Sequence, residues 1–431
     1  MNEIEKKSPG SAILNVLKNN TMLVALVAVM VLFEVLMMFK SGKGFNLFGM
    51  SLLNPTNVTN IINQNAYVVI LAVGMLCCIL TGGNIDLSVG SVVCLVGAVA
   101  GVLICNLHWN IYAAILVCLL IGTLIGAWHA FWIAYMHIPP FICTLSGMLL
   151  WRGVSLLILN GTTISPLPDN YLNLFNSFIG KTNANMAITK TGVVSIDPNA
   201  RAVKSIWQFA SSTLQIAIII GIVCCALMVV LQVLARNNKR RKGYHVGATT
   251  PFVIKQVLVS IVIMGVSVLL GLNSGYPVIL ILIAIVVAAY SYYTQNTVPG
   301  RYLYAIGGNA KAAKLSGINT DKVMFFAYTN MGFLSAVAAL VCVARFNSAA
   351  PTAGTNYEMD AIASCFIGGA SAYGGTGTVG GAVIGALFMG VLNNGMSILS
   401  VDANWQKAVK GLVLLLAVVF DVVSKKRKSL K

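Results

Sequence analysis

The chain has 431 residues, of which 58% are hydrophobic and only 9% are charged, and its formal net charge is +17. An ordinary globular chain is about 25% charged, so this composition excludes a soluble protein. It also argues against nucleic-acid binding, because the basic residues lie between long apolar runs rather than among aromatic residues on a polar surface. The sequence therefore predicts an all-α protein, a polytopic bundle of transmembrane helices.

Apolar runs long enough to cross a membrane, about 20 residues each, recur along the whole chain. We predict about 10–12 membrane segments, near residues 21–39, 61–80, 85–105, 111–135, 139–159, 211–234, 252–272, 277–294, 323–344, 358–372, 378–398 and 406–423. The first is expected to be retained, because no small-x-small cleavage site follows it before Lys40. The tenth, 358–372, is short, so it either spans the membrane or re-enters it.

Most of the 28 Lys and Arg residues fall in the segments that lie on the same side as the amino terminus. Cytoplasmic loops carry the excess of basic residues, so this side is predicted to be the cytoplasm. The chain, 1–431, is then one transmembrane domain with both termini inside. Its predicted regions are a cytoplasmic amino terminus (1–20), an extracytoplasmic loop (160–212), a basic cytoplasmic loop (236–251), a cytoplasmic stretch (300–322) and a basic cytoplasmic tail (424–431).

The loop 160–212 is the only long non-membrane stretch of the sequence. A connection of this length is usually either functional or disordered. Two interpretations remain open, a landing platform for a soluble partner outside the membrane and a mobile connector.

The cytoplasmic stretch 300–322 is polar and punctuated by glycine. Asn309 is suited to cap a short helix that begins near Ala310, and Gly317 is suited to end it in a left-handed conformation. Thr320 and Asp321 are predicted to cap the next long helix. The short helix has small residues that would let a partner approach closely: Ala310, Ala312, Ala313 and Ser316. We interpret it as a docking element, the alternative being a plain connector.

Asp86 is the most informative polar residue inside a predicted membrane segment, where it lies with Asn84 and Ser88. An ionisable group in a membrane is costly and should face the bundle interior or a wet cavity. Asp86 either lines a substrate path or caps the next helix. Asn393 and Asn394 present a similar choice between substrate contact and interhelical hydrogen bonding.

No catalytic, cofactor-binding or metal-ligating pattern is found in the sequence. The glycines at 375–380 fit a dinucleotide-binding spacing but lack the strand and the acidic residue that should accompany it, and the four histidines lack metal-ligand spacing. Glu358 and Asp360 are expected at a helix start, where carboxylates suit the dipole. Arg152 either pairs with a buried carboxylate or extends to the membrane interface.

Two glycine-rich stretches of the sequence are similar to each other. Gly82-Gly83 precede a run beginning at Val89, much as Gly374-Gly375 precede one beginning at Val379. Transporters often carry paired, interrupted segments at their pathway. Apolar glycine-rich sequence also repeats by chance.

Four stretches carry a family resemblance. GRYLYAIGGNAKAAKLSGIN, at 300–319, resembles the cytoplasmic coupling stretch of ABC-importer permeases for ribose, xylose and other monosaccharides, and residues 81–91, 348–387 and 393–418 match the same family in order. The basic insert before Gly300, with two additional spans, is most similar to the longer xylose-type permeases. The resemblance implies a permease subunit in a bacterial plasma (inner) membrane, which translocates a sugar such as xylose, ribose or galactose and has no ATPase activity of its own.

The resemblance also implies partners: a cytoplasmic ATPase subunit, an extracytoplasmic sugar-binding protein, a second permease copy in a homodimer, and membrane lipid. The residues that it assigns to ATPase coupling are Gly300, Gly307, Gly308, Asn309, Ala312, Ala313, Ser316, Gly317 and Ile318. Two other functions stay open. An ion-coupled secondary sugar transporter could have the same number of spans, and a membrane-embedded enzyme would need a nucleophile with its base, or metal ligands.

Overall fold

A computed structural model describes residues 21–42, 49–179, 212–243 and 249–429. Its fourteen helices are α1 (Thr21–Ser41), α2 (Pro55–Leu80), α3 (Val89–Gly101, followed by a π-helical turn Val102–Asn106), α4 (Ile111–Ala134), α5 (Pro140–Leu159), α6 (Asp169–Asn176), α7 (Ser212–Arg241), α8 (Thr249–Asn273), α9 (Ile279–Asn296), α10 (Val298–Leu315), α11 (Thr320–Phe346), α12 (Tyr357–Ile367), α13 (Val379–Ile398) and α14 (Ala403–Ser429). Two short strands, β1 (Phe178–Ile179) and β2 (Tyr276–Pro277), pair antiparallel.

The prediction of an all-α polytopic membrane protein is confirmed. Ten helices of the described ranges are long and apolar enough to cross a membrane: α1, α2, α3 with its π-helical turn, α4, α5, α7, α8, α9, α11 and α13. Helix α12 has 11 residues, which is about 16 Å and half of a bilayer core. The predicted segment 358–372 is therefore not a complete spanning helix.

In two places the helices begin or end a few residues away from the predicted boundary. The segment predicted at 85–105 begins helically only at Val89, because residues 84–88 are not helical. The basic loop predicted at 236–251 is shorter, since α7 continues to Arg241. Within the loop predicted at 160–212, α6 and β1 are ordered elements. The remainder of that loop, 180–211, and the amino-terminal residues 1–20 lie outside the described residues.

The chain divides into two compact units. The larger unit comprises residues 20–43, 61–177 and 279–431, and the smaller comprises 44–60 and 178–278, with residues 1–19 assigned to it. Glycines let helices of the larger unit touch, as where α11 packs along α4. A Cβ on Gly126 would meet the carbonyl oxygens of Tyr328 and Thr329, and one on Gly332 would meet Gly126 itself. Small residues at such crossings let membrane helices pack closely.

The smaller unit is built on an antiparallel pair, α7 and α8. Gly221 of α7 faces Ser267 of α8, and one turn nearer the start of α7 Ala217 faces Gly271. The side chains of Gln232 and Gln256 are hydrogen-bonded across the pair. Strand β2 follows α8 and pairs with β1.

Candidate functional site

The first element of the site is the break between α2 and α3. Asp86 lies in this break and is 3% exposed. Its Oδ1 accepts hydrogen bonds from the backbone N–H of Ser88 at 2.8 Å and from the Ser88 hydroxyl at 2.6 Å. These bonds hold the carboxylate at the beginning of α3, where the helix dipole favours a negative charge. Asp86 therefore lies beside the start of α3 and is held there by Ser88.

Hydrogen bonds connect this break to α4 and α5. Trp151 Nε1 donates to His129 Nε2 at 3.2 Å, and His129 Nδ1 lies 3.5 Å from the Ser88 hydroxyl. Because an indole N–H can only donate, Nε2 is the acceptor, so the neutral imidazole carries its proton on Nδ1. Since Ser88 gives its hydroxyl proton to Asp86, its oxygen accepts from Nδ1. The result is a directional chain from Trp151 to Asp86.

A glycine on α5 makes room for the imidazole in this chain. His129 is 1% exposed, and a Cβ on Gly147 would overlap its Nε2. Any larger residue at position 147 would therefore push the ring away from Ser88. Neither His129 nor Gly147 was predicted to belong to the site, because no recognisable spacing marks them in the sequence.

The second element is the break between α11 and α12. Helix α11 ends at Phe346, and its C-cap residue Asn347 has a left-handed backbone with φ of 50°. The Arg152 guanidinium of α5 donates to the carbonyl oxygens of Pro351 at 3.2 Å and Ala353 at 2.6 Å. Carbonyls outside a helix need such donors when water is excluded. Neither sequence-based interpretation of Arg152 included this role.

The two breaks meet at Gly90 and Gly354. A Cβ on Gly90 would overlap the carbonyl oxygen of Gly354 and approach the Glu358 carboxylate, and a Cβ on Gly354 would overlap the carbonyl oxygen of Gly90. Gly354 also has φ of 74°, which L side chains rarely adopt. The first turns of α3 and α12 therefore begin beside each other, inside the larger unit.

Charged and aromatic residues surround the start of α12. Glu358 and Asp360 lie in its first turn, as predicted, and are buried. Lys410 of α14 pairs with Asp360, with its Nζ 3.1 Å from Oδ1 and 3.2 Å from Oδ2. Tyr357 stacks on Tyr67 of α2, with ring centroids 4.2 Å apart. Lys410 and Asp360, like Tyr67 and Tyr357, lie far apart in the chain, so no local pattern predicts these contacts. A lysine at the edge of an apolar run was the one available signal.

The other residues predicted to line a substrate path lie in two separate parts of the larger unit. Asn84 joins Asp86 and Ser88 in the first break, where its Nδ2 reaches the Thr81 hydroxyl at 3.3 Å. Asn393 and Asn394 lie on α13, and their buried Oδ1 atoms accept no hydrogen bond from the described residues. Buried amide oxygens are normally paired, so these two have capacity for a hydroxyl donor.

The predicted docking helix is the second half of α10. The chain bends at Asn309 (φ −160°, ψ 100°), whose Oδ1 accepts from the Ala312 N–H at 3.0 Å. At its other end Gly317 has φ of 87°, and the N–H groups of Gly317 and Ile318 donate to the carbonyls of Lys314 and Ala313 at 3.0 and 3.1 Å. This pair of bonds is a Schellman motif. The predicted cap at Asn309 and left-handed end at Gly317 are confirmed.

Thr320 was predicted to cap the following helix, and this is wrong by one residue. The Asn319 side chain accepts from the Lys322 N–H at 2.9 Å, which is the N-cap bond of α11. Thr320 is the first helical residue, and its hydroxyl donates to Asp321 at 3.2 Å. Asparagine is among the preferred caps, so Asn319 was an equally available choice.

The exposed surface of the docking helix differs from the predicted one. Ala313 is only 5% exposed, so it faces the chain rather than a partner. Leu315 is 90% exposed, the highest value among the large apolar side chains of the described ranges. The sequence of so short a helix does not determine which of its sides is exposed. Leu315 was therefore not predicted to face a partner.

The first half of α10 contacts the end of α2 and the second of the two glycine pairs, Gly374-Gly375. A Cβ on Gly307 would overlap the Leu80 carbonyl oxygen, to which the Gly375 N–H donates at 3.1 Å. Gly374 in turn packs against Gly82 and Gly83. The end of α2 thus lies between the docking element and the first break. Gly300 is also tightly packed, against the carbonyl of Tyr293, whereas Gly308 has open space.

Paired discontinuous helices inside a polytopic bundle are typical of membrane transporters, and this is the class of protein that the fold and the site define. The family described as the permease component of branched-chain amino acid transport systems matches residues 57–181 and 202–418. The chain belongs to this family.

Individual relatives are similar over most of their length. The chain is 36% identical over 375 residues to the xylose transport system permease protein of Escherichia coli K12, which covers 87% of each chain. It is 35% identical to the Haemophilus influenzae protein of the same name, covering 87% of this chain and 91% of the relative. The ribose import permease protein of Escherichia coli K12 is 33% identical, covering 85% of each. No solved structure gives a significant match.

Proposed function

We propose that this protein is the membrane-spanning permease subunit of an ATP-driven importer for a monosaccharide such as xylose, ribose or galactose. The observation that carries the proposal is the similarity to xylose and ribose permeases along nearly the whole chain. The fold agrees with it, since two helices break where their backbones cross and polar groups surround the crossing. The subunit itself is not an enzyme, and ATP hydrolysis takes place in a partner.

Reconstitution of the full chain in proteoliposomes with its cognate ATPase and sugar-binding protein tests the proposal. Uptake of labelled xylose, ribose and galactose should require ATP and all three components. Uptake by the chain alone, driven by a proton or sodium gradient, would instead establish a secondary transporter. Absence of sugar uptake together with ATP-dependent uptake of a branched-chain amino acid would refute the sugar substrate.

We assign the translocation path to the crossing of the two breaks. Asn84, Asp86 and Ser88 lie in the first break, and Asn393 and Asn394 of α13 would extend the path with buried oxygens that accept from sugar hydroxyls. A hydroxyl-rich substrate suits partners of this kind, because each buried amide oxygen left unpaired costs free energy. The start of α3 and the start of α12 can then move apart or together as the path opens in turn to the two sides of the membrane.

We assign ATPase docking to Asn309–Ile318, with Leu315 as the apolar anchor. An exposed leucine on a well-capped short helix suits insertion into a groove of a partner. The packing of Gly307 against the end of α2 provides the route by which movement of the docking helix reaches the break at Asp86. Gly300, Gly307, Gly308, Asn309, Ala312, Ser316, Gly317 and Ile318 then shape or hold this element, and Ala313 anchors it from beneath.

Co-purification of the ATPase tests the docking assignment. Leu315→Asp should lower the amount of bound ATPase at least about tenfold, since an apolar anchor contributes about 2 kcal/mol or more. Lys322→Gln, which is also exposed but lies outside Asn309–Ile318, is the control and should bind as the wild type does. Equal ATPase binding by both variants would remove Leu315 from the interface.

We further propose that both termini and the docking helix are cytoplasmic, that a sugar-binding protein docks outside, and that two copies form the permease. Charge asymmetry supports the orientation. A cysteine placed at Asn238 should be protected from an impermeant reagent added outside, and one at Asn185 should react. The reverse labelling would refute the orientation.

A further inference from the structure

An open groove of about 620 Å³ runs between α7 and α8 in the smaller unit. Its walls are almost entirely apolar and include Val229, Val233, Phe252, Val257 and Met264. Val257 is 52% exposed and Val233 is 38% exposed, so the groove is open along its side. An apolar groove on a membrane helix pair accepts an apolar ligand.

The length of the groove matches one leaflet of a membrane. Phe252 and Met264 line its two ends on α8, and twelve helical residues rise about 18 Å. One half of a bilayer hydrocarbon core is about 15 Å. A single acyl chain therefore fits along the groove from end to end.

Positive charge is concentrated at the Phe252 end. The Arg236 guanidinium lies 4.6 Å from the centroid of the Phe252 ring. Arg236 and Arg240 continue the face of α7 that carries Val229 and Val233, since the four positions are spaced at three or four residues. The last turn of α7 adds further basic residues. The positive-inside rule accounts for charge near this membrane face, but not for its alignment with an apolar groove.

A buried polar group lies one turn deeper. Gln256 lines the groove and is only 7% exposed. Its Nε2 donates to Gln232, while its Oε1 has no hydrogen-bond partner among the described residues. An amide nitrogen has two N–H donors, and the bond to Gln232 uses one of them, so the second N–H can donate to an acceptor in the groove. The ester carbonyls of a phospholipid are such acceptors, and they lie between its headgroup and its tails, which is this position.

We propose that the groove binds one anionic phospholipid. Its acyl chain lies along Val229, Val233, Val257 and Met264, its polar backbone lies beside Gln256, and its phosphate lies at Arg236 and Arg240. Each basic residue near an anionic lipid surface contributes about 1 kcal/mol, which gives a preference for anionic over zwitterionic lipid. The proposal is independent of the transported substrate.

Native mass spectrometry of the full-length protein, titrated in detergent with phosphatidylglycerol or phosphatidylcholine, tests it. The wild type should retain one phosphatidylglycerol in preference to phosphatidylcholine. Val257→Trp fills the groove and should lose this lipid, and Arg236→Gln should weaken its binding about fivefold. The controls are Val262→Trp, an exposed position of α8 outside the groove, and Lys255→Gln, an exposed charge of the same helix. Both should bind as the wild type does.

Three results would overturn the proposal. Equal retention by Val257→Trp and Val262→Trp would show that lipid does not use the groove. Equal binding of the two lipids by the wild type would remove the role of charge. A change in the number of protein copies per particle in Val257→Trp, with lipid binding unchanged, would make the groove a contact between copies. Arg236→Gln keeps the test decisive if the tryptophan variant does not fold.

Discussion

In α2 and α11, 78% of the membrane-length window is buried, whereas in α7 and α8 the buried shares are 11% and 17%. Hydropathy does not predict which helices are buried, since α7 and α8 are more apolar than α2 and α11. Helices that face lipid need only apolar surface, but helices inside a membrane bundle must also fit together. Small and polar residues in α2, α3 and α11 therefore indicate which helices are buried better than hydropathy does.

Glycine has different roles in the two regions. Gly90 and Gly354 let two backbones cross, and a Cβ at either position would overlap a carbonyl oxygen. Gly265, in α8, has no heavy atom within 4 Å of the position that a Cβ would take. The same substitution should therefore have opposite effects in the two regions.

The largest expected effect is that of Gly354→Ala. Overlap with the Gly90 backbone, added to a left-handed φ, should lower the free energy of unfolding by about 3 kcal/mol or more. Gly265→Ala should instead raise it by about 0.5–1 kcal/mol, because alanine favours the helix. Melting of the purified proteins in detergent measures both. Equal melting temperatures would mean that the crossing is looser than the structure shows.

A second expected effect concerns the ion pair of Asp360 and Lys410. Lys410→Met leaves a buried carboxylate without its partner and should cost about 3 kcal/mol. The double variant Asp360→Asn with Lys410→Met should recover some of this loss. Lys407→Met, at an exposed position of the same helix, is the control and should melt as the wild type does. A double variant no more stable than Lys410→Met would argue against the pairing.

A third prediction separates the charge of Asp86 from its hydrogen bonds. Asp86→Asn keeps an oxygen that can accept from Ser88, whereas Asp86→Leu removes both bonds and should cost about 2 kcal/mol. We expect reduced sugar uptake in Asp86→Asn and a greater loss in Asp86→Leu, measured at matched expression. Full uptake by both variants would leave Asp86 with no role in transport.

The smallest effect tests the far end of the hydrogen-bond chain. Trp151→Phe keeps the apolar ring but removes the donor to His129, and should cost about 1 kcal/mol. Trp405→Phe, at a position that is 69% exposed, should change the stability by less than about 0.5 kcal/mol. If both substitutions had the same effect, the bond between Trp151 and His129 would contribute nothing.

Much of this architecture follows from the sequence. Long apolar runs dictate membrane helices, because only internally hydrogen-bonded backbone is stable in lipid. Local chemistry also predicted the caps at Asn309 and Gly317, since each depends on one side chain or one φ value and on neighbours within a few residues. The family was visible in the same way, because its stretches are contiguous.

Tertiary structure alone decided where the breaks lie and what they meet. The crossing of Gly90 with Gly354, the pair of Lys410 with Asp360 and the stack of Tyr67 on Tyr357 join residues that are distant in sequence, and no local pattern specifies such a pairing. The same holds for the rotation of the docking helix, which buries Ala313 and exposes Leu315. So short a helix has too few turns to show a hydrophobic period, so only its packing against the bundle fixed which side faces a partner.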